Sequence, residues 1–536
     1  MNKNVLRSIG LFLLILVVLC VAHLPVLLNQ FVHHDDISFF LRTPSRVMIP
    51  NHYQDVMAGR PLNAIRLTAS GFFIDRVSDF TIYRFFNVIL LGLSAWFMNL
   101  WLRNYYANGV YALLAALIIF TLPSFQLLAG LVGASATPIA LLLSIAAAII
   151  AGRIPLITDL KKRFISKPFA LSLVLLLSSL LFYPAIAMYY WVMVAVEVLS
   201  FRMGPRNKLV NLFFTGFCAL GVYSLMLLGT KPYFADLTVR GYNPYAMNFD
   251  VLTKLRWFFE EPLFNVLNLW NIFPDRRWAY ALILFILAAC VICLLKLYSE
   301  LKSGKMDPNQ LRGRCALFVL FLLSFFLSFL PGLAATTDPG FYRCLGPLTG
   351  MVILTILWSI DTWLGLFSKR TRDIVLPAFL LTVLTTGIVW ANKNLYTYRV
   401  KPSMVELRYL EDNLRKIDID RLNSVHIIRP DFRGLKFRYD EFGTPTTLYH
   451  HNILAVVTCA LREINKEKLV IEDIQYDYDQ QLYTYGFRSK VDPTQTFEYL
   501  IRISESLKNG PIPEADIIID INRLYESGGP LDYLRL

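Results

Sequence analysis

Apolar runs, each near the roughly 20 residues a helix needs to cross a bilayer's hydrocarbon, alternate with short polar links over most of the chain. They fall near 6–28, 82–102, 109–128, 131–151, 169–183, 184–200, 209–229, 278–298, 315–335, 345–367 and 374–392. The 169–200 stretch is divided only by Tyr183-Pro184, and the 109–151 stretch by Pro123 and the Gly130/Gly133 pair. The pattern predicts a polytopic α-helical membrane protein with about eleven spanning helices. The first run is longer than a secretory core, no small-x-small site follows it, and Leu19 before Cys20 departs from a lipoprotein signal. It reads as a retained helix.

Charge orients these helices. With Lys3 and Arg7 inside, the even-numbered links carry Arg153, Lys161, Lys162, Arg163 and Lys167; then Arg202, Arg206 and Lys208; then Lys302, Lys305, Arg312 and Arg314; then Lys369, Arg370 and Arg372. All but the short 103–108 link are strongly basic, as cytoplasmic loops should be. One missed span would destroy the agreement. The scheme puts 29–81, 230–277 and the tail from 393 outside.

The polar tail, 393–536, follows a transmembrane unit, 1–392, and has mixed periodicity. Pro402 to Lys416 has helical spacing through Met404, Leu407, Leu410 and Leu414, and Leu448–Ile464 reads as a buried helix. Val425–Ile428, Lys468–Ile474 and Ala515–Ile521 read as strands, which makes the tail a small α/β domain outside the cytoplasm.

Composition sharpens this division. Only 17% of the 536 residues are charged and mean hydropathy is +0.49, against about 25% charged in soluble domains. Residues 401–536 hold 22 acidic and 18 basic side chains, so the overall +13 belongs to the membrane part, where it serves topology and headgroup contact rather than nucleic acid. The seven cysteines form no framework, and Cys290-x-x-Cys293 lies inside a predicted span without a second pair. Only His23 among the histidines falls in a span, which disfavours haem ligation or an intramembrane histidine centre.

Candidate chemistry begins directly after the first span, at Phe31-Val32-His33-His34-Asp35-Asp36-Ile37. Adjacent carboxylates between apolar residues at an interface are costly, because desolvation disfavours their charged form. A metal, a cationic side chain or a polar substrate should compensate them; alternatively, they cap the following helix in water. Further along, Gln54 to Val77 is amphipathic, with Arg60, Arg66 and Arg76 on it, and reads as one or two helices lying on the outer leaflet.

This layout resembles the GT-C glycosyltransferases, membrane enzymes that take a sugar from a polyprenyl-phosphate carrier. Within them, His34-Asp35-Asp36, Gly59-Arg60-Pro61-Leu62 and Asp440-Glu441-Phe442-Gly443-Thr444-Pro445 resemble the serotype-converting O-antigen glucosyltransferases of the type-II Gtr family. The resemblance implies transfer of a hexose, glucose by analogy, from undecaprenyl phosphate to a lipid-linked or cell-surface glycan at the periplasmic face of a bacterial inner membrane. It implies Asp35 as the base, with Asp36 orienting it or holding a cation such as Mg²⁺ or Mn²⁺, and it brings His34, Tyr342 and Glu441 to the substrate.

The residues fit that chemistry independently. A sugar hydroxyl is a poor nucleophile and needs a carboxylate to take its proton. The departing phosphate needs positive charge, which an arginine fork supplies. One displacement inverts the anomeric carbon, so one base suffices. Arg343, beside Tyr342 in the link before the tenth span, is the first candidate for the phosphate; Arg60 is second, and Arg240, Arg276 and Arg277 are third. Tyr233, Tyr242, Tyr245, Trp257 and Trp270 are candidates for stacking on sugars or for an aromatic belt. The rival readings are a lipid-linked glycan flippase or transporter, a glycan polymerase or ligase, and a receptor-like scaffold.

Overall fold

The computed structural model describes residues 3–33, 36, 55–56, 58–71, 73–74, 77–106, 108–133, 135–154, 166–200, 206–234, 250–273, 275–304, 306–335, 340–416, 424–428, 441–444, 446–447, 453, 456–457, 460, 469–477, 482–489, 496–504 and 517–534. His34, Asp35 and Arg240 lie outside this set, as do Arg76, Tyr242, Tyr245, Asp440 and Pro445.

The chain is a multi-pass α-helical membrane protein. Its principal helices are α1 (Lys3–Ala22), α2 (Pro61–Gly71), α3 (Asp79–Leu102), α4 (Gly109–Phe120), α5 (Pro123–Gly130), α6 (Ala136–Ala151), α7 (Lys167–Phe182), α8 (Tyr189–Leu199), α9 (Arg206–Phe234), α10 (Val251–Glu260), α11 (Arg276–Lys302), α12 (Pro308–Leu327), α13 (Gly346–Leu364), α14 (Lys369–Leu395) and α15 (Lys401–Leu414). Among the described residues, seven helices are long and apolar enough to cross a membrane: α1, α3, α9, α11, α12, α13 and the stretch begun by α14. The 109–130 stretch is a helix pair bent by 66° between α4 and α5. Pro123 opens α5, where its missing N–H costs nothing. Three further apolar helices, α6, α7 and Pro184–Leu199, are shorter than a full span. These long, bent and short helices occupy the eleven stretches that the apolar pattern marks.

Contacts between helix ends sort into two sets. Lys208 pairs with Glu197 and lies 4.3 Å over the Trp101 ring, Asn211 donates to the Ile154 carbonyl, Arg372 pairs with Asp361, and Tyr111 donates to the Asp373 carbonyl. All of these lie beside the basic links or the short 103–108 link. At the opposite ends, Arg66 and Arg84 reach the Gly130–Gly133 turn, Tyr183 meets Cys344, and Asn394 donates to the Trp270 carbonyl. None of these contacts mixes the two groups of links.

Beyond α14 the helix does not stop at position 393. It continues through a π-helical turn, Tyr396–Val400, into α15. The tail carries a sheet of β1 (Ser424–Ile428), β2 (Leu469–Asp477), β3 (Leu482–Ser489), β4 (Thr496–Ser504) and β5 (Ile517–Asp520), ordered β2-β3-β4-β1-β5. β1 runs parallel to β4 and β5, whereas β2, β3 and β4 are antiparallel neighbours. The sequence pattern marks β1, β2 and β5 but misses β3 and β4, whose residues (Leu482–Ser489 and Thr496–Ser504) include Arg488 and Arg502 among apolar ones. Of the helix expected over 448–464, residues 453, 456, 457 and 460 are helical and buried, and the rest lies outside the described set.

The tail shares a core with the membrane unit. Val32, Ile74, Val77, Phe80 and Val132 pack in one buried cluster with Leu407, Leu410, Leu414, Val425, Ile427 and Tyr525. The segment between α1 and α3 and the start of α3 therefore lie against α15 and the sheet.

Candidate functional site

Asp36 is wholly buried. Its Oδ1 accepts a 2.7 Å hydrogen bond from the Gly133 backbone N–H, and its Oδ2 lies 3.9 Å from the Arg84 guanidinium, which is also wholly buried. Arg84 donates to the carbonyls of Phe31 at 2.6 Å, Gly130 at 3.3 Å and Asn29 at 3.4 Å, and stacks 3.5 Å over the Phe31 ring. Arg66 on α2 donates to the Val132 and Gly133 carbonyls. One buried knot thus ties the segment after α1, the start of α3 and the turn between α5 and α6. The compensation that Asp36 needs comes from an arginine. An adjacent guanidinium supplies positive charge beside Asp36 Oδ2. Among the described residues, no three His, Cys, Asp or Glu side chains converge as a metal would require.

A second cluster gathers three of the expected site residues. Glu441, 1% exposed, accepts from the backbone N–H of Tyr342 and, at 3.0 Å, from that of Arg343; its Oε1 lies 3.8 Å from Arg343 Nε. Its carbonyl accepts from Arg399, itself 2% exposed, at 2.7 Å. Burial pushes the Glu441 carboxyl up to about 7, against the opposing influence of Arg343, both backbone N–H groups and Arg399. The reason is desolvation of a carboxylate that its partners only partly offset.

Arg343 sits in a 3₁₀ turn, Tyr342–Cys344, just before α13. The Cys344 thiol meets the Tyr183 hydroxyl at 3.4 Å, in the break between α7 and the helix opened by Pro184. Arg60 stacks 5.4 Å from the centre of the same Tyr183 ring and pairs with Asp55 at 3.1 Å. The charges of Arg60 and Arg343 both act on Tyr183 and Cys344. The side chains of Arg60 and Arg343 are 28% and 23% exposed, while Tyr342, Cys344 and Glu441 are buried behind them. The first two phosphate candidates are therefore both partly exposed, Arg60 against the Tyr183 ring and Arg343 next in the chain to the Cys344 that meets its hydroxyl.

Arg60 is held by a tight turn. Its N–H donates to the Asp55 carbonyl, and Gly59 before it has φ +74°, a conformation that favours glycine. Tyr223 on α9 donates to the Gly59 carbonyl at 3.1 Å.

The two clusters are joined. Leu127 on α5 and Leu131 just after it pack with Tyr342, Leu345 and Phe442, while Gly130–Gly133 carry the Asp36, Arg84 and Arg66 contacts. Arg399 also lies within the electrostatic field of Arg84. Charged groups thus follow one another from Asp36 through Arg84, Arg399 and Glu441 to Arg343.

No protein-family model, curated protein or solved structure matches this chain.

Other candidates lie elsewhere. Arg277 is almost fully exposed beside Asp275, at the N-terminus of α11. The Trp257 ring packs on Phe329 and under Lys254, and Trp270 is buried with its indole N–H on Thr121. Buried in this way, Trp270 offers no face to a sugar. The residues that sequence reasoning passed over are Arg84, Tyr183, Cys344 and Arg399. Arg84 carried a signal: an arginine inside an apolar span demands a partner.

Proposed function

We propose that this chain is a membrane glycosyltransferase of GT-C-like architecture with eleven membrane crossings. It transfers a hexose, with glucose the first candidate, from a polyprenyl-phosphate carrier to a lipid-linked or cell-surface glycan such as O-antigen. The site faces the periplasm of a bacterial inner membrane, and the tail lies on the same side. The observation that carries this reading is that Arg60 lies against the Tyr183 ring while the Tyr183 hydroxyl meets Cys344, the residue after Arg343, at the helix ends away from the basic links. Two guanidinium groups at the membrane surface suit a lipid phosphate, to which arginine binds in bidentate fashion.

In this reading Asp35 takes the proton of the acceptor hydroxyl as its oxygen attacks the anomeric carbon. The bond from that carbon to the carrier phosphate breaks, and its electrons leave on the phosphate oxygen. Arg60 and Arg343 neutralise the charge that develops there. Asp36, fixed by Gly133 and Arg84, holds the neighbouring base in position.

The test uses purified full-length protein with polyprenyl-phosphate glucose and a lipid-linked glycan acceptor. Release of polyprenyl phosphate with glucosylation of the acceptor is expected, and Asp35→Asn should slow it by about 10²–10⁴-fold without weakening carrier binding. Movement of the lipid across the bilayer without covalent transfer would instead indicate a flippase. Extension of the acceptor by whole repeat units would indicate a polymerase or ligase.

A further inference from the structure

The tail residue Glu441 is bound to the Arg343 turn at three points and is nearly inaccessible to solvent. Its two carboxylate oxygens take the N–H groups of Tyr342 and Arg343, and Oε1 also faces Arg343 Nε. A buried group of this kind does not touch substrate. It fixes the backbone from which Arg343 projects and the plane of its guanidinium. The Glu441 carbonyl is held in turn by Arg399, and the next residues are pinned as well. Phe442 packs edge-on against Tyr342, with ring centres 5.9 Å apart, and the Gly443 N–H donates to the Tyr398 carbonyl.

We propose that Glu441 is a positioning residue for the carrier phosphate: it holds Arg343 in its binding geometry, so the tail completes the donor site. This rests on the reading of Arg343 as a phosphate ligand. It makes the tail a structural part of donor binding.

Ionised Glu441 accepts from both backbone N–H groups and attracts Arg343. Protonated, it replaces one acceptor with a donor aimed at an N–H, and the turn loosens. The groups facing it are Arg343 from the 342–344 turn, Arg399 from the π-helical turn, and the Cys344 thiol. Of these groups, Glu441 is the one that burial lifts to about 7. Phosphate binding should therefore strengthen as pH rises through about 7.

The experiment measures polyprenyl monophosphate binding to the full chain in nanodiscs between pH 6 and 8. Wild type, Arg343→Ala, Glu441→Gln and Glu441→Asp are compared, each first shown to be folded by a cooperative thermal transition. The phosphate's own ionisation is common to all of them and cancels in the ratio of affinities. At pH 8, Arg343→Ala should lose about tenfold or more, the loss of one charge-assisted contact worth roughly 1.4 kcal/mol. Glu441→Gln should lose several-fold at pH 8 and approach wild type at pH 6. Glu441→Asp, one methylene short, should fall between the two and keep a pH-dependent ratio to Glu441→Gln. If Glu441→Gln does not fold, that of Glu441→Asp decides: an affinity equal to wild type at pH 8 would overturn the proposal. Equal affinities of Glu441→Gln and wild type at every pH would also overturn it, while Arg343→Ala still loses binding. Wild-type binding by Arg343→Ala would instead remove the donor-site reading itself.

Discussion

Asp36 and Arg84 form an ion pair, 3.9 Å apart, from which solvent is wholly excluded. A charge pair in that position is held by geometry rather than by attraction alone, because both ions lose their hydration. Here the backbone bonds to both members: the Gly133 N–H to Asp36 Oδ1, and the Phe31, Gly130 and Asn29 carbonyls to Arg84.

Removing one member should therefore be worse than removing both. Asp36→Ala leaves a guanidinium buried without its counter-ion, at a cost of about 3–5 kcal/mol. Thermal unfolding in detergent should show a large loss for Asp36→Ala and for Arg84→Met, and a smaller loss than their sum for the double variant. Additive losses would mean that the pair is not coupled. Asp36→Asn should accordingly lower both stability and turnover, unlike Asp35→Asn, which should lower turnover alone.

The turn that carries Arg60 depends on glycine. A Cβ at Gly59 would lie 2.4 Å from the Tyr223 hydroxyl oxygen and 2.7 Å from a Leu227 methyl, at a φ that L-residues seldom adopt. Gly59→Ala should cost about 1–3 kcal/mol and weaken polyprenyl phosphate binding through Arg60. Tyr223→Phe removes only the bond to the Gly59 carbonyl, and its effect should be smaller. Unchanged binding and melting temperature in Gly59→Ala would show that the turn is not needed.

The division of helix ends into two groups makes a labelling prediction. Single cysteines replacing the exposed Asn104 or Lys369, in a background without native cysteines, should react with an impermeant maleimide only after permeabilisation. Cysteines replacing the exposed Arg277 or Glu526 should react in intact cells. The reverse pattern, or mixed labelling within either pair, would refute the topology.

Glu441 should also leave a mark on stability. Its folded pKa is raised above the ordinary 4.5 to about 7, so between those values the folded chain holds a proton that the unfolded chain has released. The resulting contribution is fully present below about pH 4.5 and is lost as pH rises through about 7, at up to about 1.4 kcal/mol per pH unit. Glu406 shifts in the same direction, because burial outweighs its bonds from Tyr525, Thr446 and Thr447. Melting temperatures of wild type should fall from pH 5 to pH 7.5 relative to Glu441→Gln. Parallel profiles for the two proteins would show that Glu441 does not titrate in this window.

The sequence by itself determined where the membrane helices lie, because length and hydropathy are properties of contiguous residues. It also supplied the alternation expected of their ends, since Lys and Arg gather in most of every second link. It marked Arg60, Arg343, Tyr342 and Glu441 singly, as polar residues at suspicious points. Only the tertiary structure decided which of them meet. Tyr183 meets Arg60 through its ring and Cys344 through its hydroxyl, and Glu441 grips the Arg343 turn, through contacts between residues far apart in the chain. The tail's parallel pairing of β1 with β4 and β5 escaped pattern reading for the same reason, as did the role of Arg84. Periodicity reports what one helix or strand buries, whereas a site is made where several of them end together.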